Sequence, residues 1–195
     1  MKRELVLASG SPRREALLRG LGLQFDVLRP QVDEVYDAQW PPGKIVRELA
    51  RMKARWGAAR RPRALVIGAD TLVVVDRRIL GKPSSPDEAV HMLMELQGRA
   101  HTVYSGVAVI DAVTGREETG FRATEVRMRP FSKDRARAYV KTGEPMDKAG
   151  AYAIQGVGAL LIDSISGDFW TVVGLPLELL DGLLQSFDVG LFPDP

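Results

Sequence analysis

Asp70 stands in the middle of an otherwise apolar run, ALVIGADTLVVV, at residues 64–75. A carboxylate in such a strand is costly to bury unless a cation, a metal or several donors meet it. A bulge at Gly68, with backbone amides turned onto the acid, would also serve. Lys53 falls four residues after Leu49 and three before Trp56. That spacing puts all three on one helix face and points Lys53 inward, although a snorkelling lysine has the same spacing. Lys82, in the stiff loop Gly81-Lys82-Pro83, and the acid pair Asp33-Glu34, just after a strand, each read by themselves as solvent-facing.

Two further stretches carry polar groups at element ends. In ASGSPRREALLRG, residues 8–20, a strand runs into small residues, a proline and two arginines. Ser11 and Pro12 suit an ordinary N-cap and first helical position. The same loop suits a phosphorylated ligand, because a helix N-terminus attracts anions. In GEPMDKAGAYAIQG, residues 143–156, small residues let backbone approach a ligand closely. Gln155 there offers a donor and an acceptor to a base edge, or bonds its own turn. The acids Glu34 and Asp70, the bases Arg13, Arg14, Lys53 and Lys82, and a helix N-terminus together suit metal-assisted attack on a phosphoric anhydride.

Several chemistries are excluded. The chain has no cysteine, hence no disulfide, thiolate metal site or cysteine nucleophile. Its two histidines, His91 and His101, lack metal-ligand spacing and read as structural. There is no credible Ser-His-Asp set, no G-x-x-x-x-G-K-[ST] loop and no G-x-G-x-x-G fingerprint. Bases are scattered and the net charge is only +2, so nucleic-acid binding is not expected. No stretch reaches the roughly 20 apolar residues of a membrane span, and the N-terminus lacks a signal-peptide pattern. A cytoplasmic protein is expected.

Elements must position these residues. With 195 residues, 45% of them hydrophobic, the chain can bury a substantial core in one domain or two closely packed lobes. Strands are expected at Glu4–Ala8, Phe25–Leu28 and Ala64–Val75, the last turning at Asp76-Arg77-Arg78 into a short hairpin. Helices follow Ser11, Pro41-Pro42 and Ser85, and a short one spans Lys133–Lys141. Period-two alternation from Thr102 to Arg129, broken at Thr114-Gly115, predicts a long antiparallel hairpin. Gly150–Ile165 carries two apolar strand-like pieces, and Leu175–Phe187 a last amphipathic helix. The class is α/β with a mixed sheet.

Taken together, Leu7-Ala8-Ser9-Gly10-Ser11-Pro12-Arg13-Arg14, Gly68-Ala69-Asp70-Thr71, Gly81-Lys82-Pro83, Tyr104-Ser105-Gly106-Val107, Asp147-Lys148-Ala149-Gly150-Ala151-Tyr152, Ile154-Gln155-Gly156 and Val173-Gly174-Leu175-Pro176 resemble the Maf family of nucleoside triphosphate pyrophosphatases. The resemblance covers nearly the whole chain, with the motifs in the family's order. It implies a fold similar to that of inosine triphosphate pyrophosphatase: a long mixed, twisted sheet flanked by helices, with two lobes around one cleft, residues 1–195 forming a single domain. It implies Asp70 as proton acceptor, Glu34 with Asp70 as ligands of Mg²⁺ or Mn²⁺, and Lys53 and Lys82 on the triphosphate. In the branch acting on dTTP and UTP, an arginine, a threonine and a glutamine mark substrate choice; here they are Arg13, Thr71 and Gln155. Ser9 and Ser11 then bring donors to the ligand, and of Arg13 and Arg14, about 100° apart on a helix, one reaches the nucleotide and the other braces the loop. A homodimer is usual in the family. Rival readings are the related branch acting on 7-methyl-GTP and a non-catalytic cell-division regulator. The base-reading positions argue against the first, and the complete acid-base set against the second.

Overall fold

A computed structural model describes residues 3–192. In chain order the elements are β1 (Glu4–Ala8), α1 (Pro12–Gly20), β2 (Asp26–Leu28), α2 (Pro42–Ala58), β3 (Ala64–Val75), β4 (Arg78–Leu80), α3 (Pro86–Leu96), β5 (Ala100–Asp111), β6 (Glu117–Met128), α4 (Lys133–Val140), β7 (Ile162–Ser166), α5 (Phe169–Val173) and α6 (Leu177–Gln185). The strands form one seven-stranded sheet in the order β2-β1-β3-β5-β6-β7, with β4 paired to β3. β1 runs parallel to both β2 and β3, whereas β3–β4 and β6–β7 are antiparallel. The sheet is therefore mixed, as expected, and helices flank it.

Local chemistry accounts for the element ends. Asp76 and Arg77 both have positive φ, 47° and 65°, the conformation of a two-residue hairpin turn that matches strand twist. Ser85 caps α3, its hydroxyl accepting from the Glu88 amide at 3.2 Å. The Glu88 carboxylate in turn accepts from the Ser84 amide at 2.6 Å. Ser132 caps α4 in the same way, accepting from the Arg135 amide at 3.3 Å.

The chain folds as two compact units. The first comprises the segments up to Asp70, Ser105–Arg122 and from Gly174 onward. Strand alternation divides its core between the two sheet faces. Leu5, Leu7, Leu65, Ile67, Val107 and Val109 pack with Leu18 of α1 and with Leu180 and Leu184 of α6. Val6, Ala8, Val66 and Ala108 face the other way, onto Ala50 and Ala54 of α2. That second face is lined by small residues, and two of them are glycines. A Cβ on Gly68 would lie 2.2 Å from the Ala50 carbonyl oxygen, and one on Gly106 would lie 2.3 Å from that of Val46. Helix α2 thus rests its backbone directly on β3 and β5.

The second unit comprises Thr71–Tyr104 and Ala123–Val173. Its core joins Val73, Val75, Leu93, Leu96, Val103, Val126, Met128 and Tyr139. Between α4 and β7 the chain forms three 3-10 turns, at Glu144–Asp147, Ala149–Ala151 and Gly156–Leu161. Two strand-like pieces were expected over Gly150–Ile165, and only β7 forms. Gly150, Ala151 and Gly156 have φ of 69°, 56° and 69°, which no strand accommodates. Helix α5 was not foreseen, and α6 begins at Leu177, after Pro176, rather than at Leu175. Among the described residues no helix is long and apolar enough to cross a membrane.

Candidate active site

Alternation along β3 puts Asp70 on the same face as Val66 and Gly68, beneath α2. The close seat of α2 at Gly68 then brings Lys53 onto the acid: its Nζ lies 2.5 Å from Asp70 Oδ1. The same ammonium lies 2.7 Å from Glu34 Oε1, in the segment between β2 and α2. Two carboxylates therefore share one cation. The Lys53 and Asp70 side chains are only 12% and 9% exposed, whereas that of Glu34 is 52% exposed. Glu34 is thus the solvent-side member of the trio. Burial raises the Asp70 carboxyl above the usual carboxylate range, against the opposing pull of Lys53 and Arg14. Of the accounts of Asp70 open to the sequence, a cation that meets it is found in Lys53. Gly68 serves the approach of α2 rather than a bulge.

The arginine pair separates as its helical spacing requires. Arg14 is buried, and its guanidinium donates to the Gly174 carbonyl at 2.7 Å, the Ala69 carbonyl at 2.9 Å and Ser9 Oγ at 3.2 Å. It ties the start of α1 to the middle of β3 beside Asp70 and to the segment before α6. Burial presses its pKa below the ordinary arginine value. Arg13, one position away, is only half-buried. Ser9 Oγ also accepts from the Ser11 amide at 3.2 Å, which shapes the small-residue loop. Ser11 is the N-cap residue of α1, but its side chain makes no capping hydrogen bond.

Thr71, Lys82 and Gln155 belong to the second unit. Thr71 follows Asp70 in β3 and is half-buried. Lys82 is exposed, in a loop whose Gly81 carbonyl accepts from the Gly150 amide at 3.0 Å. Gln155 is exposed, and its amide does not bond back to cap the turn that follows it. The turn-bonding alternative for Gln155 is therefore not what the molecule adopts. Sequence reasoning passed over Tyr139 and Glu144, which hold the residues around Gln155. Glu144 Oε2 accepts from the Val157 amide at 3.0 Å, and Oε1 from the Gly158 amide at 2.9 Å. The signal was there in Gly156 and Gly158, where added Cβ atoms would lie 2.6 Å and 3.0 Å from the Glu144 carboxylate.

Chemically, the first unit offers a buried carboxylate of raised basicity, a second carboxylate facing solvent and a shared cationic group. The family model described as Maf-like protein matches residues 4–187. The chain is 49% identical over 187 residues to a dTTP/UTP pyrophosphatase of Desulforamulus reducens, covering 96% of this chain and 98% of that one. It is 52% identical over 189 residues to a dTTP/UTP pyrophosphatase of Moorella thermoacetica, covering 97% of each. A third, from Dictyoglomus thermophilum, is 44% identical over 192 residues, 98% of this chain and the whole of the relative. With a family model spanning almost all of the described residues and relatives at this identity over their full length, the chain belongs to the Maf family.

Proposed function

We propose that the protein is a cytoplasmic nucleoside triphosphate pyrophosphatase that hydrolyses dTTP and UTP to the monophosphate and pyrophosphate. The observation that carries the reading is the pair of carboxylates, Asp70 and Glu34, on the single ammonium of Lys53. The names of the relatives support the substrate class.

The reaction proceeds by attack of a water oxygen on the α-phosphorus. The bond from that phosphorus to the bridging oxygen breaks, and pyrophosphate leaves with the bond electrons. Asp70 takes the proton that the water loses. Its raised pKa suits it to this task, because a base works best when its pKa approaches the working pH. Lys53 and Lys82 place positive charge against the triphosphate. Arg14 and Ser9 shape the loop that presents Arg13, Arg14 being the brace. Thr71, Arg13 and Gln155 select the base.

The donor set fits a divalent cation. Two neighbouring carboxylates, completed by phosphate oxygens and water, would make a set that Mg²⁺ or Mn²⁺ takes. Among the described residues no group of three or more Asp, Glu, His or Cys could hold such an ion alone, so substrate would complete the shell. Glu34 and Asp70 would hold it, and when bound it neutralises charge on the phosphates under attack. A carboxylate that commits both oxygens to a metal keeps none for a proton. Glu34 is therefore the principal ligand, and Asp70 retains an oxygen for the water.

A nucleotide panel assayed for phosphate after added inorganic pyrophosphatase tests the reading. The expected result is that dTTP and UTP exceed CTP, GTP and ATP by at least about tenfold in kcat/KM. A best rate on 7-methyl-GTP would move the protein to the other branch. Absence of turnover on every nucleotide would favour a non-catalytic role.

A further inference from the structure

The segment around Gln155 has a backbone that does not hold itself. Gly150, Ala151 and Gly156 all have positive φ, and Ala151 pays steric strain for it. Such a path persists only where its surroundings over-determine it. The Gly150 amide is held by the Gly81 carbonyl, and from Ala153 to Gly158 the holding groups are two side chains, one from α4 and one from the turn after it. Tyr139 Oη donates to Glu144 Oε1 at 2.8 Å and accepts from the Ala153 amide at 3.1 Å. The Glu144 carboxylate takes the Val157 and Gly158 amides, as given above. Gln155 is thus bracketed by anchored amides two residues before it and two and three residues after it.

The clamp is itself pinned. The Glu144 amide donates to Thr142 Oγ1 at 3.2 Å, and its carbonyl accepts from Lys148 Nζ at 2.5 Å. Upstream, buried Tyr152 meets His101 Nε2 at 2.6 Å. Gly158 is required for the fit, since a Cβ there would lie 2.4 Å from both the Ala153 carbonyl and Tyr139 Oη. Burial pushes the Glu144 carboxyl up, but the Tyr139 hydroxyl, the Gly158 and Val157 amides and the Lys148 charge outweigh it and hold it below its ordinary value. The carboxylate is therefore ionised and accepting near neutral pH.

We propose that Glu144, seated by Tyr139, is a specificity-positioning residue: it fixes the loop so that the exposed Gln155 amide meets a pyrimidine edge in one orientation. This rests on the reading of Gln155 as the residue that selects the base. A planar amide discriminates only if its oxygen and nitrogen are held in register with the edge they meet. A loop free to reorient would satisfy several bases equally and would pay ordering entropy on each binding event. Glu144 touches no reacting atom in this scheme, so its loss acts on selection and affinity rather than on the chemical step.

The test compares kcat and KM for UTP and CTP in the wild type, Glu144→Gln, Tyr139→Phe, Gln155→Ala and the Glu144→Gln/Gln155→Ala double variant. Glu144→Gln keeps the shape but sets an NH₂ against a backbone N–H. The expected result is a fall of about fivefold or more in the UTP-to-CTP ratio of kcat/KM, carried by KM for UTP with kcat nearly kept. Tyr139→Phe should move the ratio in the same direction, and Glu144→Gln should add nothing once Gln155 is alanine. If Gln155→Ala leaves the ratio unchanged, the reading of Gln155 fails and the clamp loses its purpose. If Gln155→Ala lowers the ratio and Glu144→Gln does not, the clamp alone is wrong. Amide hydrogen exchange on the wild type stands independent of any variant's folding: slow exchange at Val157 and Gly158 is expected, and exchange at the unprotected rate would overturn the proposal.

Discussion

At the scale of single residues, the proposed hydrolysis turns on Asp70 and on what surrounds it. Asp70→Asn preserves the shape and removes the proton acceptor. We expect kcat to fall by about 10²–10⁴-fold in excess metal, with the fold retained; retention of more than roughly a tenth of wild-type activity would refute the base assignment. Gln155→Ala should narrow the preference for dTTP and UTP, from at least about tenfold toward unity, without altering metal dependence. A uniform loss on all nucleotides would show that Gln155 does not read the base. Lys53 was legible in the sequence because its direction follows from Leu49 and Trp56 on the same helix. Glu34 was not, since an acid pair after a strand carries no local sign of a partner on a later helix. Its particular role as a metal ligand came only from the resemblance. The arginine pair was half legible: helical geometry required Arg13 and Arg14 to diverge, but which of them braces depends on the Gly174 carbonyl, far away in sequence.

At the scale of elements, α2 decides whether Lys53 reaches Asp70. Its backbone lies on β3 and β5 because Gly68 and Gly106 have no side chains to hold it off. The atoms a new Cβ would strike at Gly68 are the Ala50 carbonyl oxygen and the Ala54 nitrogen, which are backbone and cannot rotate away. Gly68→Ala should therefore cost about 1–3 kcal/mol in stability and lower kcat by displacing Lys53. Urea denaturation and steady-state kinetics of the variant check both, and a neutral substitution would show that α2 is not seated as described. The glycine was legible as special, its reason was not: close approach and a bulge leave the same mark in a sequence. The stretch from Gly150 to Ile165 misled for a related cause. Its apolar residues suggest strands, but Gly150, Ala151 and Gly156 take positive φ, and the contacts that hold this path, Gly81 on Gly150 and Tyr139 and Glu144 around Gln155, lie elsewhere in the chain, where local patterning cannot show them.

At the scale of the whole molecule, stability should depend on pH through a residue outside the candidate site. Burial lowers the His101 pKa to about 4, whereas an unfolded chain titrates near 6.5. Between these values the unfolded state binds more protons, so stability falls as pH falls. The slope is about 1.4 kcal/mol per pH unit inside that window, and the contribution is complete above pH 6.5. Urea midpoints between pH 7 and 4.5 should show it, and His101→Gln, which keeps a partner for the Tyr152 hydroxyl, should flatten it. Equal slopes in both proteins would remove His101 from the explanation. The proposed activity, hydrolysis at the α-phosphorus, belongs to the whole chain. Its most direct test is the fate of the water oxygen. In H₂¹⁸O with UTP and Mg²⁺, water attacking the α-phosphorus leaves the label in UMP and none in the pyrophosphate. Label in pyrophosphate, or UDP and labelled phosphate as first products, would contradict the account.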